Sequence, residues 1–133
     1  MKLDDNYHFN EFLTESNKIM VSDNFKLSEF SCPCCGIAYI SKELINRLQQ
    51  IRNYYGKPLI ITSGFRCETH NIKVGGKEFS QHLYGNAVDF IIEGISPKEI
   101  QKYCENLFKD GGIGYGKTFT HVDVRGKRAR WNY

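Results

Sequence analysis

The order in which apolar periods follow one another most constrains what this chain can fold into. A helical stripe comes first, in SKELINRLQQIRNYYG, where Leu44, Ile45, Leu48 and Ile51 share one face. Ser41 stands before it as an N-cap and Gly56 after it as a C-cap. After Lys57 and Pro58 the β-branched run LIITSGF predicts a buried strand of about five residues. NAVDFII predicts another strand. ISPKEIQKYCENLF predicts a second helix, with Ser96 as cap, Pro97 at its first position and Glu99 three residues on. GGIGYG and FTHVDVR predict an antiparallel pair of short strands, with a turn around Lys117 and Thr118. Strands and helices do not alternate as a parallel doubly wound sheet requires. The expectation is therefore an α+β domain with a small, mainly antiparallel sheet and flanking helices.

The chain's 133 residues suffice for one domain with a hydrophobic core, expected over 26–133. Residues 1–25 show no sustained period, with Phe9, Phe12 and Leu13 offering at most a short helical turn, and are read as an extension packed on the domain. Between the first two strands, CETHNIKVGGKEFSQHLYG is polar and contains glycine, so it reads as a long loop, a type of segment that often carries function.

With 41% hydrophobic and 14% aromatic residues, the composition excludes disordered and collagen-like chains. The formal charge of +3 comes partly from Arg125, Lys127, Arg128 and Arg130. It would suit an anionic polymer such as a cell wall or a nucleic acid, but a solvated basic terminus explains it at least as well, and no nucleic-acid partner is expected. No apolar run approaches the roughly 20 residues of a membrane helix. The start MKLDDNYHFNEF is acidic and polar rather than signal-like, so synthesis in the cytoplasm, no membrane partner and a monomer are expected.

The odd count of five cysteines argues against a disulfide framework. Cys32, Cys34 and Cys35 crowd together in SCPCCG, and Cys67 or Cys104 could complete four metal ligands. The spacing lacks a pair of Cys-x-x-Cys motifs, and buried or free thiols are the plainer reading. GGIGYG opens no predicted helix, so it reads as close backbone packing rather than a phosphate loop. His70 reads as a solvated loop histidine, and Trp131 and Tyr133 as covering the sheet edge or core.

Read for metal ligands, His82 and Asp89 flank the turn LYGNAV, and His121 and Asp123 lie two residues apart on the last predicted strand. Strand alternation puts His121 and Asp123 on one side and Val122 and Val124 on the other. Imidazole and carboxylate together suit zinc. If His82, Asp89 and His121 converge, they supply three ligands and leave a fourth position for water, as catalytic zinc requires. Zinc brings the pKa of such a water to about 7 and polarises a carbonyl, so a peptide bond is a natural target.

SGFR, SQHLYGNAVD, GIGYG and HVDVR, in this order and spacing, resemble the zinc D-Ala-D-Ala carboxypeptidase and murein endopeptidase family, of the hedgehog/DD-peptidase-like superfamily. The resemblance runs over 26–131. Its core is a Ser-x-His-x-x-Gly-x-Ala-x-Asp pattern, filled by Ser80, His82, Gly85, Ala87 and Asp89. It implies one catalytic zinc on His82, Asp89 and His121, with Arg66 stabilising a substrate carboxylate or an oxyanion. Ser80 and Gln81 would orient substrate or support the site.

Some relatives place a glutamate base three residues before the last histidine, where this chain has Thr118. Asp123 is then the candidate for general base or for orienter of His121. The implied substrates are peptidoglycan stem peptides, cut as by a carboxypeptidase or an endopeptidase at the bacterial wall, in a setting compatible with a phage or prophage lysin. The alternative is a non-catalytic zinc-containing binding module of the same fold, as the hedgehog signalling domain resembles.

Overall fold

Helix α1 (Lys42–Tyr55) anchors the core with Leu44, Ile45, Leu48 and Ile51, all fully buried. Each such side chain contributes about 1.5–3 kcal/mol by leaving water. Ser41 Oγ accepts the Leu44 amide at 3.5 Å, and Gly56 ends the helix at φ 64°, where its lack of a Cβ removes the left-handed penalty. The computed structural model describes the backbone of residues 8–12 and, with side chains, residues 18–133.

Five strands form the main sheet: β3 (Ile60–Ser63), β4 (Ala87–Ile91), β5 (Gly112–Tyr115), β6 (Thr120–Asp123) and β7 (Ala129–Asn132), in the order β3-β4-β6-β5-β7. All neighbours are antiparallel except β5 and β7. Because strands alternate their faces, Val88, Val122 and Ile113, aligned across β4, β6 and β5, turn together into the core with α1 and α3 (Pro97–Leu107). The next register row runs Ser63, Asp89, His121, Gly114, Trp131 and belongs to the opposite face. One face therefore holds the core while the other carries a polar row built around two of the candidate ligands.

Helix α3 starts at Ser96, whose Oγ accepts the Glu99 amide at 3.2 Å, with Pro97 in the first turn. Its buried Gln101 donates to the carbonyls of Gly116 and Phe119 at 3.0 and 3.3 Å, pinning the turn that feeds β6. Among the described residues no helix is long and apolar enough to cross a membrane.

Three local expectations change, and one edge strand is added. Residues His8–Phe12 form strand β1, antiparallel to β2 (Ile37–Ser41), instead of a helical turn; Leu13 lies outside the described residues. Pairing with β2 outweighs the weak helical signal of a five-residue segment. Strand β3 is a sheet edge, which leaves Ile60 43% exposed while Leu59 enters the core. The polar stretch after Arg66 contains a short helix α2 (Glu68–Lys73) and a 3-10 turn at Gln81–Tyr84. Both are too short to leave a periodic trace. Finally, Trp131 sits on β7, which pairs in parallel with β5. A four-residue edge strand beside a glycine-containing strand carries no alternating pattern to announce it.

Candidate metal centre

His82 comes from the 3-10 turn at Gln81–Tyr84, Asp89 from β4 and His121 from β6. The turn starts at Ser80, whose Oγ accepts the His82 amide at 3.2 Å, and closes at Gly85 with φ 68°. That glycine lets the chain reverse directly into β4, so residues seven apart in sequence face one another. Register then sets Asp89 opposite His121. One ligand atom from each of the three residues lies within 4.8 Å of the others, and all three are buried.

The protonation pattern follows from the partners. His82 Nδ1 lies 2.8 Å from the Gly64 carbonyl, which can only accept, so Nδ1 carries the proton and Nε2 presents a lone pair. That Nε2 is buried without a hydrogen bond although Asp89 Oδ1 stands 3.3 Å away. A buried imidazole nitrogen that faces a carboxylate oxygen without a hydrogen bond is a pair that a cation would bridge. His121 Nδ1 lies 2.9 Å from the same Asp89 Oδ1, and its Nε2 lies 2.8 Å from Asp123 Oδ2. The donor set of two imidazoles and one carboxylate, with an orphaned buried nitrogen at its centre, fits zinc.

Burial would raise the Asp89 carboxyl, but the His121 hydrogen bond, with the two imidazoles around it, outweighs burial and holds the group well below the usual carboxylate range. Asp123 is likewise held low: burial opposes ionisation, and Arg125 and then His121 overcome it. Burial would lower His121, yet Asp123 and Asp89 on its two sides raise it. Asp123 is fully buried, and both its oxygens are engaged. Arg125 Nε and Nη2 donate at 2.9 and 2.7 Å, the Gly112 amide at 2.9 Å and the Arg125 amide at 3.2 Å.

Arg66 reaches the centre from the far side, with Nη2 3.5 Å from Asp89 Oδ2. Its Nε donates to Ser63 Oγ at 3.1 Å and its Nη1 to Asn71 Oδ1 at 3.3 Å. Asn71 is itself buried and donates to the Lys77 carbonyl at 2.8 Å. Arg66 also lines a cleft of about 830 Å³, with Phe65, Glu68, Phe79 and Tyr84 among its walls. Gln81 Oε1 accepts from Asn86 at 3.4 Å at the foot of the ligand turn.

Several contributors escaped sequence reasoning. Asn71, which holds Arg66, was hidden in a stretch read as loop. Arg125 looked like part of a basic tail, although the HVDVR spacing places it two residues past Asp123. Trp131 packs its ring on His121 at 4.9 Å between centroids, and the Arg125 guanidinium stacks over Trp131 at 5.1 Å. The glycines of GGIGYG make room for these contacts. A Cβ on Gly112 would lie 2.2 Å from Asp123 Oδ2, and one on Gly114 would lie 2.9 Å from Trp131.

The α+β scaffold thus gathers two histidines and an aspartate, a donor set that could hold a metal, beside an arginine-walled cleft. The Peptidase M15 family model matches residues 17–123, and the chain belongs to that family. Over 104 residues the chain is 32% identical to the peptidoglycan L,D-endopeptidase MepK of Escherichia coli (strain K12), covering 71% of this chain and 56% of MepK. Over 44 residues it is 46% identical to the zinc D-Ala-D-Ala carboxypeptidase of Streptomyces albus G, covering 32% of this chain and 17% of that protein. The chain thus spans about half the length of MepK and less of the second relative.

Proposed function

We propose that the chain is a zinc-dependent peptidase that hydrolyses peptidoglycan stem peptides at the bacterial cell wall. The observation that carries this reading is the unpartnered, buried Nε2 of His82, aimed at Asp89 beside His121. His82 would hold zinc through Nε2, His121 through Nδ1 and Asp89 through Oδ1. When bound, zinc supplies Lewis acidity and makes water acidic enough to act near neutral pH. Family membership and the printed activities of the two relatives support a peptide bond in peptidoglycan as the target.

The chain's own residues do the remaining work. Arg66, held by Ser63 and Asn71, is placed to bind a substrate carboxylate or the oxyanion that develops at the scissile carbonyl. Asp123 accepts from His121 Nε2, fixing the tautomer that leaves Nδ1 free to ligate. Full burial and four other donations leave Asp123 no route to a substrate proton, so of its two candidate roles the orienting one is better supported than the base. Ser80 positions His82 through its amide, and Gln81 braces the same turn. The cleft beyond Arg66, with exposed Phe79 and Tyr84, would take the peptide.

The test pairs zinc content with hydrolysis of a purified stem peptide. His82→Ala and Asp89→Ala should lose zinc from this centre and hydrolysis together. Hydrolysis by a folded Asp89→Ala protein at the wild-type rate would overturn the reading. A wild type that binds zinc and the stem peptide without cutting it would favour the binding module.

A further inference from the structure

The sulfurs of Cys32, Cys35 and Cys67 lie within 4.8 Å of one another, well away in sequence from the ligands above. We propose that these three cysteines form a second metal site, a closed structural zinc centre that clamps the segment carrying Arg66.

The local fold supports the assignment. Cys32-Pro33-Cys34-Cys35-Gly36 forms a tight turn, in which the Gly36 amide donates to the Cys32 carbonyl at 2.9 Å and Gly36 sits at φ 76°. The Cys67 amide points at Cys32 Sγ at 3.4 Å, joined by the amides of Cys35 and Cys34, and the His70 amide points at Cys67 Sγ at 3.5 Å. Amides converging on sulfur stabilise thiolate, the form that binds metal. The turn and Cys67 are held together by the Phe65 amide, which donates to the Phe30 carbonyl at 2.9 Å. Gly64 makes this approach possible, since a Cβ there would lie 2.7 Å from the Phe30 backbone.

The spacing of the sulfurs is not that of a disulfide and matches what a shared zinc requires. Cys32 Sγ and Cys67 Sγ are 3.7 Å apart. A disulfide bond is about 2.05 Å. Two thiolates on one tetrahedral zinc, each at about 2.3 Å, lie about 3.8 Å apart. Without a cation the sulfurs oppose one another's ionisation: Cys35, exposed on its outer side, is pushed up to about 11 by partial desolvation and then by the Cys32 and Cys67 sulfurs beside it. Cys34, whose thiol hydrogen-bonds with that of Cys67, and His70, three residues beyond Cys67 on α2, are the candidates for the fourth ligand. Cys67 directly follows Arg66 and caps α2, the helix that contributes Asn71 to Arg66. A metal here fixes the wall from which Arg66 reaches the first centre.

The test is to prepare the reduced chain with cobalt(II) in place of zinc and read thiolate-to-cobalt charge transfer in the near ultraviolet. The band should appear in the wild type and persist in the His82→Ala, Asp89→Ala double variant, which separates this site from the first. It should be lost in Cys32→Ser and Cys67→Ser. Loss of the intensity of one thiolate in Cys34→Ser would support closure by Cys34, and an unchanged band would support closure by His70. Should the serine variants not fold, thiol labelling of the wild type serves instead: zinc should protect Cys35 and Cys67, and a chelator should expose them. Absence of the band in folded, cobalt-loaded protein, or labelling indifferent to zinc, would overturn the proposal.

Discussion

Asp123 Oδ2 lies 2.8 Å from Nε2 of His121, and the pair is sealed from solvent by Arg125 and β5. This contact places a carboxylate behind a ligand rather than in front of a substrate. Removing the carboxylate should therefore weaken metal binding first. Asp123→Asn should lower zinc affinity about 10- to 100-fold, as loss of an outer carboxylate typically does. At saturating zinc it should retain hydrolysis within about tenfold of wild type. A general base would instead cost about 10²- to 10⁴-fold in rate at full metal occupancy. Competition with a fluorescent chelator and a peptide assay at saturating zinc separate the two.

Arg66 touches Asp89 only at 3.5 Å and is held chiefly by Ser63 and Asn71. Arg66→Ala should reduce kcat/KM about 10²- to 10³-fold, the usual cost of one oxyanion donor. Zinc affinity should change little beside that. Arg66→Lys should not restore the rate, because an ammonium cannot reproduce the planar fork that spans Ser63, Asn71 and Asp89. Steady-state kinetics with parallel zinc titration check both claims.

Gly112 leaves room for the Asp123 carboxylate, and an added Cβ would meet Oδ2 at 2.2 Å. Gly112→Ala should destabilise the fold by about 1–3 kcal/mol through overpacking. It should also weaken zinc binding, since Asp123 must move away from His121. Urea unfolding and zinc titration of the same variant measure the two effects.

The metal-free protein should be most stable between about pH 4 and pH 6.5. Asp89 and Asp123 have depressed folded pKa values, so their contribution is present above the unfolded carboxylate value of about 3.9 and is lost as pH falls through the folded values. His121 is raised, so its contribution is full below about 6.5 and is lost as pH rises through its folded value. Asp123→Asn should flatten both limbs, since the carboxylate is one of His121's two partners. Urea midpoints of chelated protein across pH 2–9 would expose the dependence, and a flat profile above pH 6.5 would contradict the pairing.

Much of this was legible from residue order. The stripe Leu44, Ile45, Leu48 and Ile51, with its two caps, announced α1 because a long amphipathic period leaves many matching positions. Alternation in THVD put His121 and Asp123 on one face, where the sheet indeed holds them. The arrangement around them was less legible. Which strands neighbour one another depends on pairing across distant segments, so the row from Asp89 through His121 to Gly114 and Trp131 could not be read in one dimension. Asn71 and Arg125 were missed for the same reason, as their partners lie on other elements or beyond a strand end. The proximity of Cys67 to Cys32, 35 residues apart, likewise rests on the packing of Gly64 against Phe30.

The central claim is zinc-dependent cleavage of peptidoglycan, and digestion of purified peptidoglycan tests it most directly. Zinc-loaded protein, chelated protein and chelated protein restored with zinc would be incubated in parallel and the soluble fragments identified by mass spectrometry. The account predicts fragments with newly cut stem peptides that vanish on chelation and return with zinc. Intact peptidoglycan after incubation with folded, zinc-replete protein would contradict it.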